Sequence, residues 1–165
     1  MLHLAVIFSL LALSTANLKY SDCGGTAARI KSFAATPYPI KAKTGVEHSI
    51  SFDAVVSKPI GEATLKLSIS KYVGFMYVKI PCIGGVGSCN YEGGCAKINK
   101  AINGVKKCIP LPSGNYKKSF NFKIPSIPSA ASMLTSGYFK GKVSLVDPRS
   151  SEVYACVTFE TKVTN

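Results

Sequence analysis

Six cysteines are the residues of this sequence best suited to covalent or metal chemistry, and their number and spacing decide between the two. An even number of cysteines after an apolar N-terminal segment is typical of three disulfides, and six cysteines allow 15 connectivities. Zinc is the competing interpretation, but the intervals of six and five residues between Cys82, Cys89 and Cys95 lack the Cys-x2–4-Cys spacing of structural zinc sites. We therefore predict disulfides and no metal site. The cysteines are Cys23, Cys82, Cys89, Cys95, Cys108 and Cys156.

Catalytic chemistry needs a group that moves protons or an activated nucleophile, and this chain offers few. His48 is the one histidine after the N-terminal segment, and its Lys- and Glu-rich surroundings predict an exposed turn with a solvated imidazole. The sequence has neither a G-x-S-x-G nucleophile motif nor a G-x-x-x-x-G-K-[ST] phosphate loop. We predict no catalytic residue and no enzyme. The alternative is a hydrolase, in which His48 and acidic side chains would have to come together in a cleft. The acids are spread one to a segment, at Asp22, Glu47, Asp53, Glu62, Glu92, Asp147, Glu152 and Glu160.

The charge of the chain is strongly positive and comes almost entirely from lysine. The formal net charge is +12, and only two of the 20 basic residues are arginines, Arg29 and Arg149. Proteins that read nucleic acids usually rely on arginine forks. Dispersed lysines favour diffuse attraction to an anionic surface, so we predict an anionic membrane and no nucleic acid as a partner.

The N-terminal segment has the pattern of a signal peptide. An apolar run from Leu4 to Leu13 is too short to span a bilayer, and Ser14-Thr15-Ala16 places small residues before a cut after Ala16. The alternative is a buried N-terminal helix. We predict a signal peptide at residues 1–16, a single domain at residues 17–165, and residence outside the cell or in the endosome–lysosome lumen.

Alternation of apolar and polar residues predicts short, half-buried strands along most of the mature chain. Strands that each hide one face pair into sheets, and two sheets that pack face to face give an all-β sandwich. A seventh strand is expected near Ala27–Ala34 and a helical turn around Ala96–Ile102. The six clearest strands are Ser49–Val56, Thr64–Ser70, Phe75–Ile80, Ser119–Ile124, Tyr138–Val146 and Val153–Val163.

Two segments are too apolar for ordinary half-buried strands or loops. Val73–Val78 is hydrophobic on both strand faces, and Ile124–Leu134 is an apolar stretch broken by prolines, which a central strand does not accept. Such segments either close the core or face a membrane or ligand.

The residues around the central cysteines resemble a known family. Tyr77-Val-Lys-Ile-Pro-Cys82, followed by Gly87-Ser-Cys89-Asn-Tyr-Glu92 and Cys95, resembles the central signature of the GM2-activator-like branch of the MD-2-related lipid-recognition (ML) family. Asp22-Cys23-Gly24 and Leu134-Thr-Ser-Gly137-Tyr138 extend the resemblance over nearly the whole mature chain. It implies an immunoglobulin-like two-sheet β-sandwich with an internal apolar cavity. It also implies disulfides Cys23–Cys156, Cys82–Cys89 and Cys95–Cys108.

The chain departs from the pattern of that branch in two places. Both cysteines of a further disulfide are absent from the region spanned by Cys95 and Cys108, which is also shorter. Met133 stands where a tryptophan precedes the Leu-Thr pair, and the chain contains no tryptophan. We therefore expect the region near the ligand's carbohydrate to differ and the insertion into a bilayer to be weaker.

The resemblance implies a secreted, non-enzymatic protein that binds a lipid, extracts it from a membrane and transfers it. The lipid is a glycolipid, a phospholipid or a sterol, and a lysosomal glycosidase to which a glycolipid is presented is a candidate partner; no cofactor is expected. The alternative is a secreted innate-immune or signalling protein that recognises a lipid or a receptor. The predicted cavity residues are Ile50, Phe52, Leu65, Leu67, Ile69, Met76, Val78, Phe120, Phe122, Val143, Leu145, Val157 and Phe159. The predicted membrane or entrance residues are Val73, Phe75, Tyr77, Ile127, Met133, Leu134 and Tyr138.

Overall fold

The computed structural model describes residues 18–124, 126, 129 and 135–165. The predicted signal peptide and three predicted entrance residues, Ile127, Met133 and Leu134, lie outside the described residues. No helix of the described part is long and apolar enough to cross a bilayer.

The described residues form ten strands and one helix. The strands are β1 (Lys19–Asp22), β2 (Ala28–Thr36), β3 (Ile40–Lys41), β4 (Glu47–Val56), β5 (Thr64–Val73), β6 (Met76–Lys79), β7 (Asn90–Tyr91), β8 (Gly114–Lys123), β9 (Gly137–Val146) and β10 (Val153–Thr164), and the helix is α1 (Gly94–Asn103).

The strands make two sheets. In sheet A the strand order is β1-β10-β9-β5-β6, with β3 pairing with β10 and β7 with β5; in sheet B it is β2-β4-β8. Every pairing is antiparallel except β3 with β10. The two-sheet, all-β architecture predicted from alternation is confirmed.

Alternation located the long strands within three residues of their observed bounds, except that β8 begins five residues before the predicted start at Ser119. The expected seventh strand is β2, and the expected helical turn is the ten-residue helix α1. The helix begins after Gly93 and ends at Gly104, both in left-handed conformations with φ near 64° and 72°, which glycine adopts without a Cβ penalty. Strands β1, β3 and β7 were not predicted, because two to four residues are too few to establish a period of two.

Three disulfides cross-link the strands, the helix and the loops, and their pairing is the one that the resemblance implies. Cys23 after β1 is joined to Cys156 in β10, Cys82 to Cys89 in the loop after β6, and Cys95 at the start of α1 to Cys108. The buried Asn99 amide also donates hydrogen bonds to the carbonyls of Cys95 and Ile109, at 3.1 and 2.7 Å. The loop after α1 is therefore anchored to the helix twice.

The predicted exposed turn at His48 is wrong. His48 lies in β4, is fully buried, and its Nε2 is 2.9 Å from the carbonyl oxygen of Lys41. Its ring packs on Phe122 with centroids 5.6 Å apart. The reason is register: β4 begins at Glu47, so His48 is in phase with Ile50 and Phe52 and points inward with them.

Candidate functional site

The inward faces of the two sheets are lined almost continuously by the apolar residues that the sequence predicts for a cavity. In sheet B, Ile50 lies opposite Phe120 across β4 and β8. In sheet A, Val143 of β9 lies opposite both Leu67 of β5 and Val157 of β10. Residues directly opposite each other project from the same side of a sheet, so each set forms one apolar face.

Most of these inward side chains are only half-buried. Leu145 and Val157 are buried, each at 7% exposure. The other predicted cavity residues of the long strands are intermediate in exposure; they are Ile50, Phe52, Leu65, Leu67, Ile69, Phe120, Phe122, Val143 and Phe159. The central side chains of a well-packed sandwich interdigitate and lose nearly all contact with solvent.

Two clusters of buried apolar residues lie in the described part of the chain. The first surrounds Val56, Ile60 and Leu145, and α1 adds Ile98 to it. The second is centred on Ile80 and Phe139. Along β9, Val143 falls between Leu145 of the first cluster and Phe139 of the second, so the half-buried stretch separates two closed regions.

The sheets meet along one edge and are bridged at the other. Strand β2 packs against β1 and β10, where the rings of Phe33 and Phe159 have centroids 6.4 Å apart. Helix α1 contacts both β8 and β5 at the opposite edge. The inward side chains of β4 and β9, the middle strands, lie between these two contacts.

The β5–β6 hairpin ends in an exposed apolar tip. Gly74 takes a φ of 64° at the turn, and the adjacent Phe75 is 85% exposed. Val73, Met76 and Val78 are 53%, 52% and 46% exposed. Met76 and Val78, predicted for the cavity, thus lie on an edge strand in contact with solvent, beside the predicted entrance residues Val73 and Phe75.

Two lysines near this tip lie over aromatic rings, one on the hairpin and one on β9. Lys140 Nζ lies 4.2 Å from the ring centroid of Tyr77, which packs edge-on against Tyr72 at 5.3 Å. Lys162 Nζ lies 5.7 Å from the ring centroid of Tyr138, the predicted entrance residue on β9, which is 57% exposed. An apolar tip with lysines beside it has the composition of a surface that meets an anionic bilayer.

Two acidic residues, Asp22 and Asp147, accept hydrogen bonds that stabilise the local structure around them. Asp22 accepts hydrogen bonds from the backbone N–H of Ile30 at 2.5 Å and of Gly24 at 2.7 Å, and from Arg29 at 3.3 Å. Burial raises the pKa of Asp22, but these hydrogen bonds outweigh it, so the pKa lies below its ordinary value of 3.8.

Asp147 organises the turn between β9 and β10. It accepts hydrogen bonds from the hydroxyl of Tyr154 and from the N–H groups of Ser150 and Arg149, which lower its pKa. The same hydrogen bond to Asp147 raises the pKa of Tyr154 to about 12. Within the described ranges, no three His, Cys, Asp or Glu side chains come together as a metal site.

A known protein shares this two-sheet arrangement. No family model matches the chain. A crystal structure of a Niemann-Pick type C2 protein from the Japanese carpenter ant has the same fold: its TM-score is 0.51 at 11% sequence identity, and the match covers 88% of this chain and 99% of that one. The structure is therefore a two-sheet, immunoglobulin-like sandwich with the fold of that protein.

Within that class the chain is similar to the ganglioside GM2 activator of Mus musculus. The two are 29% identical over 131 residues, which cover 71% of this chain and 67% of the relative. This similarity confirms the resemblance that the residues around Cys82 and Cys89 indicate.

Proposed function

We propose that this protein is a non-enzymatic lipid-binding and lipid-transfer protein that holds the alkyl chains of one lipid between its two sheets. The observation that carries the proposal is the half-buried state of the inward apolar side chains, from Ile50 and Phe120 in sheet B to Leu67 and Val143 in sheet A. Apolar faces that are not sealed against each other lower their free energy by covering a hydrocarbon chain.

The free energies involved fit such a role. Each buried CH₂ contributes about 0.8 kcal/mol, so keeping a sixteen-carbon chain out of water is worth roughly 12 kcal/mol. The protein has to match this free energy to take the lipid from a bilayer. A sandwich whose interior is incompletely filled loses part of the packing energy that would otherwise stabilise the folded protein. Three disulfides, each worth about 2–4 kcal/mol, offset that loss.

The β5–β6 hairpin is the proposed membrane contact. Phe75, Met76 and Val73 present apolar surface to the bilayer, and Lys140 and Lys162 lie beside it at the level of the headgroups. Each lysine near an anionic surface contributes at most about 1 kcal/mol, so the apolar tip dominates the contact.

The absence of an assembled catalytic group among the described residues supports a carrier over a hydrolase. The imidazole of His48 is fully buried against Lys41 and Phe122, where no substrate reaches it. The relative's name, ganglioside GM2 activator, favours a glycolipid as the bound lipid. Presentation of that glycolipid to a hydrolase, which the sequence resemblance implies, is the proposed purpose of binding. The disulfides favour the secretory pathway, with residence outside the cell or in the endosome–lysosome lumen.

Native mass spectrometry and a vesicle-transfer assay test the proposal. The purified protein is incubated with vesicles that contain a glycolipid, a phospholipid or cholesterol, and then separated and weighed intact. The expected result is a one-to-one complex with at least one lipid and movement of that lipid to acceptor vesicles. Absence of both a complex and transfer for all three lipids contradicts the proposal. Tight binding to a receptor ectodomain without transfer points to the signalling alternative.

A further inference from the structure

A second concave site lies on the opposite, outward face of sheet A. It is a groove of about 440 Å³ formed by β1, β10, β9 and β5. The register places Lys140 beside both Glu160 and Ser70, and Lys142 beside both Thr158 and Ser68. Because side chains alternate along a strand, these residues face away from the inward set that contains Val143 and Phe159. The groove therefore opens on the face opposite the proposed lipid site, although Phe159, a predicted cavity residue, also contributes to its lining.

The groove carries an excess of positive charge. Lys19, Lys140 and Lys142 contribute three ammonium groups against the single carboxylate of Glu160, which leaves a net charge of +2. The two salt bridges between described residues, Arg29–Asp22 and Arg149–Glu62, involve none of these four side chains. The site thus favours a ligand with one or two negative charges.

Hydroxyl groups line the same groove and are available to a ligand. The side chains of Ser68 and Ser70 are half-buried and make no hydrogen bond to any described residue. Thr158 donates to the carbonyl oxygen of Ser21 at 3.2 Å and keeps its lone pairs for a further donor. A ligand rich in hydroxyl groups matches this mixture of donors and acceptors.

Exposed aromatic rings lie at the hairpin end of the groove. Tyr72 and Tyr77 are 43% and 37% exposed, and they share the outward face with Ser70 because Tyr72 is two residues further along β5. Lys140 connects the two features, since its ammonium group lies over the ring of Tyr77 and its side chain lines the groove. Because Lys140 covers one face of Tyr77, Tyr72 is the ring better placed to pack against the apolar C–H face of a sugar.

We infer that this groove binds an acidic saccharide, a sugar of one or two rings that carries a carboxylate or a sulfate. Its volume lies in the range of small-ligand sites, about 300–1,000 Å³. Its lysines meet the acidic group, its serines meet the sugar hydroxyls, and the exposed ring of Tyr72 flanks the sugar at the hairpin end. The site goes beyond the proposed function, because its ligand is a sugar and its charged and hydroxyl groups lie on the outward face of sheet A; Lys140 alone among them also lies beside the proposed membrane contact.

Titration with a sulfated disaccharide, observed by NMR, tests the inference. The amide signals of Ser68, Gly141 and Lys142 are expected to move, whereas those of sheet B stay in place. Lys142→Gln is expected to weaken binding about tenfold, the loss of one charge-assisted hydrogen bond. The matched control is Lys117→Gln on the outward face of β8, which removes the same charge from the other sheet and is expected to change Kd less than twofold.

Three results would overturn the inference: equal weakening by the two lysine substitutions, equal binding of the unsulfated disaccharide, or signals that move only outside the groove. Vesicles with and without a sulfated glycolipid then identify the source of the sugar. If retention of the protein on the vesicles depends on both the sulfate and Lys142, the ligand is a membrane headgroup. If the protein binds only the free disaccharide, the ligand is a soluble glycan. Lipid uptake from vesicles without acidic sugars is expected to be unchanged in Lys142→Gln, so the lipid site and the groove succeed or fail independently.

Discussion

The aromatic rings of Phe33 in β2 and Phe159 in β10 face each other across the two sheets, with centroids 6.4 Å apart. Phe159 rests against Gly141 on the neighbouring strand, so its ring occupies space that any other residue at position 141 would fill. This contact joins the two sheets along their closed edge, and the half-buried apolar faces begin beside it.

Gly141→Ala is expected to destabilise the protein by about 1–3 kcal/mol, the usual result of overfilling a packed contact. A Cβ at position 141 would lie 2.3 Å from the ring of Phe159, which would have to move. Urea denaturation measures the effect. The control is Gly61→Ala, where no neighbour lies within 4 Å and little change is expected. Equal stabilities of the two variants would show that the ring of Phe159 does not depend on this glycine.

Leu67→Trp tests whether the middle of the sandwich has room for additional side-chain volume. Leu67 is half-buried on the inward face of β5, between the two buried clusters. If alkyl chains occupy this region, the indole takes their place: the lipid bound per protein falls at least severalfold, and stability changes by less than about 1 kcal/mol. Lys66→Trp, on the outward face, is the control and is expected to leave lipid uptake unchanged. Severe destabilisation by Leu67→Trp, with unchanged lipid uptake, would indicate a filled core.

Met76→Ser is expected to weaken binding to anionic vesicles about tenfold. Burying a methionine side chain in an apolar medium is worth roughly 1.5–3 kcal/mol, and Met76 stands at the exposed hairpin tip. Ile109→Ser is the matched control, since Ile109 is 51% exposed against 52% for Met76 and lies in the loop after α1. Vesicle co-sedimentation compares the two. Similar losses in both variants would mean that the hairpin is not the membrane contact.

Asp22→Asn is expected to destabilise the protein at neutral pH and to have much less effect in acid. The folded-state pKa of Asp22 is lowered below 3.8, so its stabilisation is complete above the unfolded-state pKa and is lost as the pH falls through the folded-state pKa. Urea denaturation of both proteins at pH 6 and at pH 2.5 measures the difference in the free energy of unfolding. A difference that is no smaller at pH 2.5 would contradict this role of the carboxylate.

Strand alternation predicted the long strands well because their inward faces follow a strict period of two. In β4 the pattern from Ile50 to Val56 is unbroken, and in β9 it runs from Phe139 to Leu145. His48 lies two residues before Ile50, so the same alternation places its side chain inward. The strand was predicted to begin only at Ser49, because charged residues surround His48, whereas β4 begins at Glu47. The pairing of the cysteines came from family resemblance, since their spacing alone leaves all connectivities open.

The candidate site was harder to predict than the fold. An inward apolar residue has the same sequence signal whether it meets another side chain or an alkyl chain, so Leu145 and Leu67 could not be distinguished before their burial was seen. The outward groove gave no signal in the sequence, because Lys19, Ser70, Lys140 and Thr158 come from four strands and meet only through the register of sheet A.

The most direct measurement is a crystal structure of the protein loaded with a lipid whose acyl chain carries bromine. Anomalous scattering then locates the bromine atoms without interpretation of weak lipid density. Our account predicts bromine between the two sheets, beside Leu67, Val143 and Phe120. Bromine found only at the hairpin tip or on an outer face, with the space between the sheets filled by side chains, would contradict it.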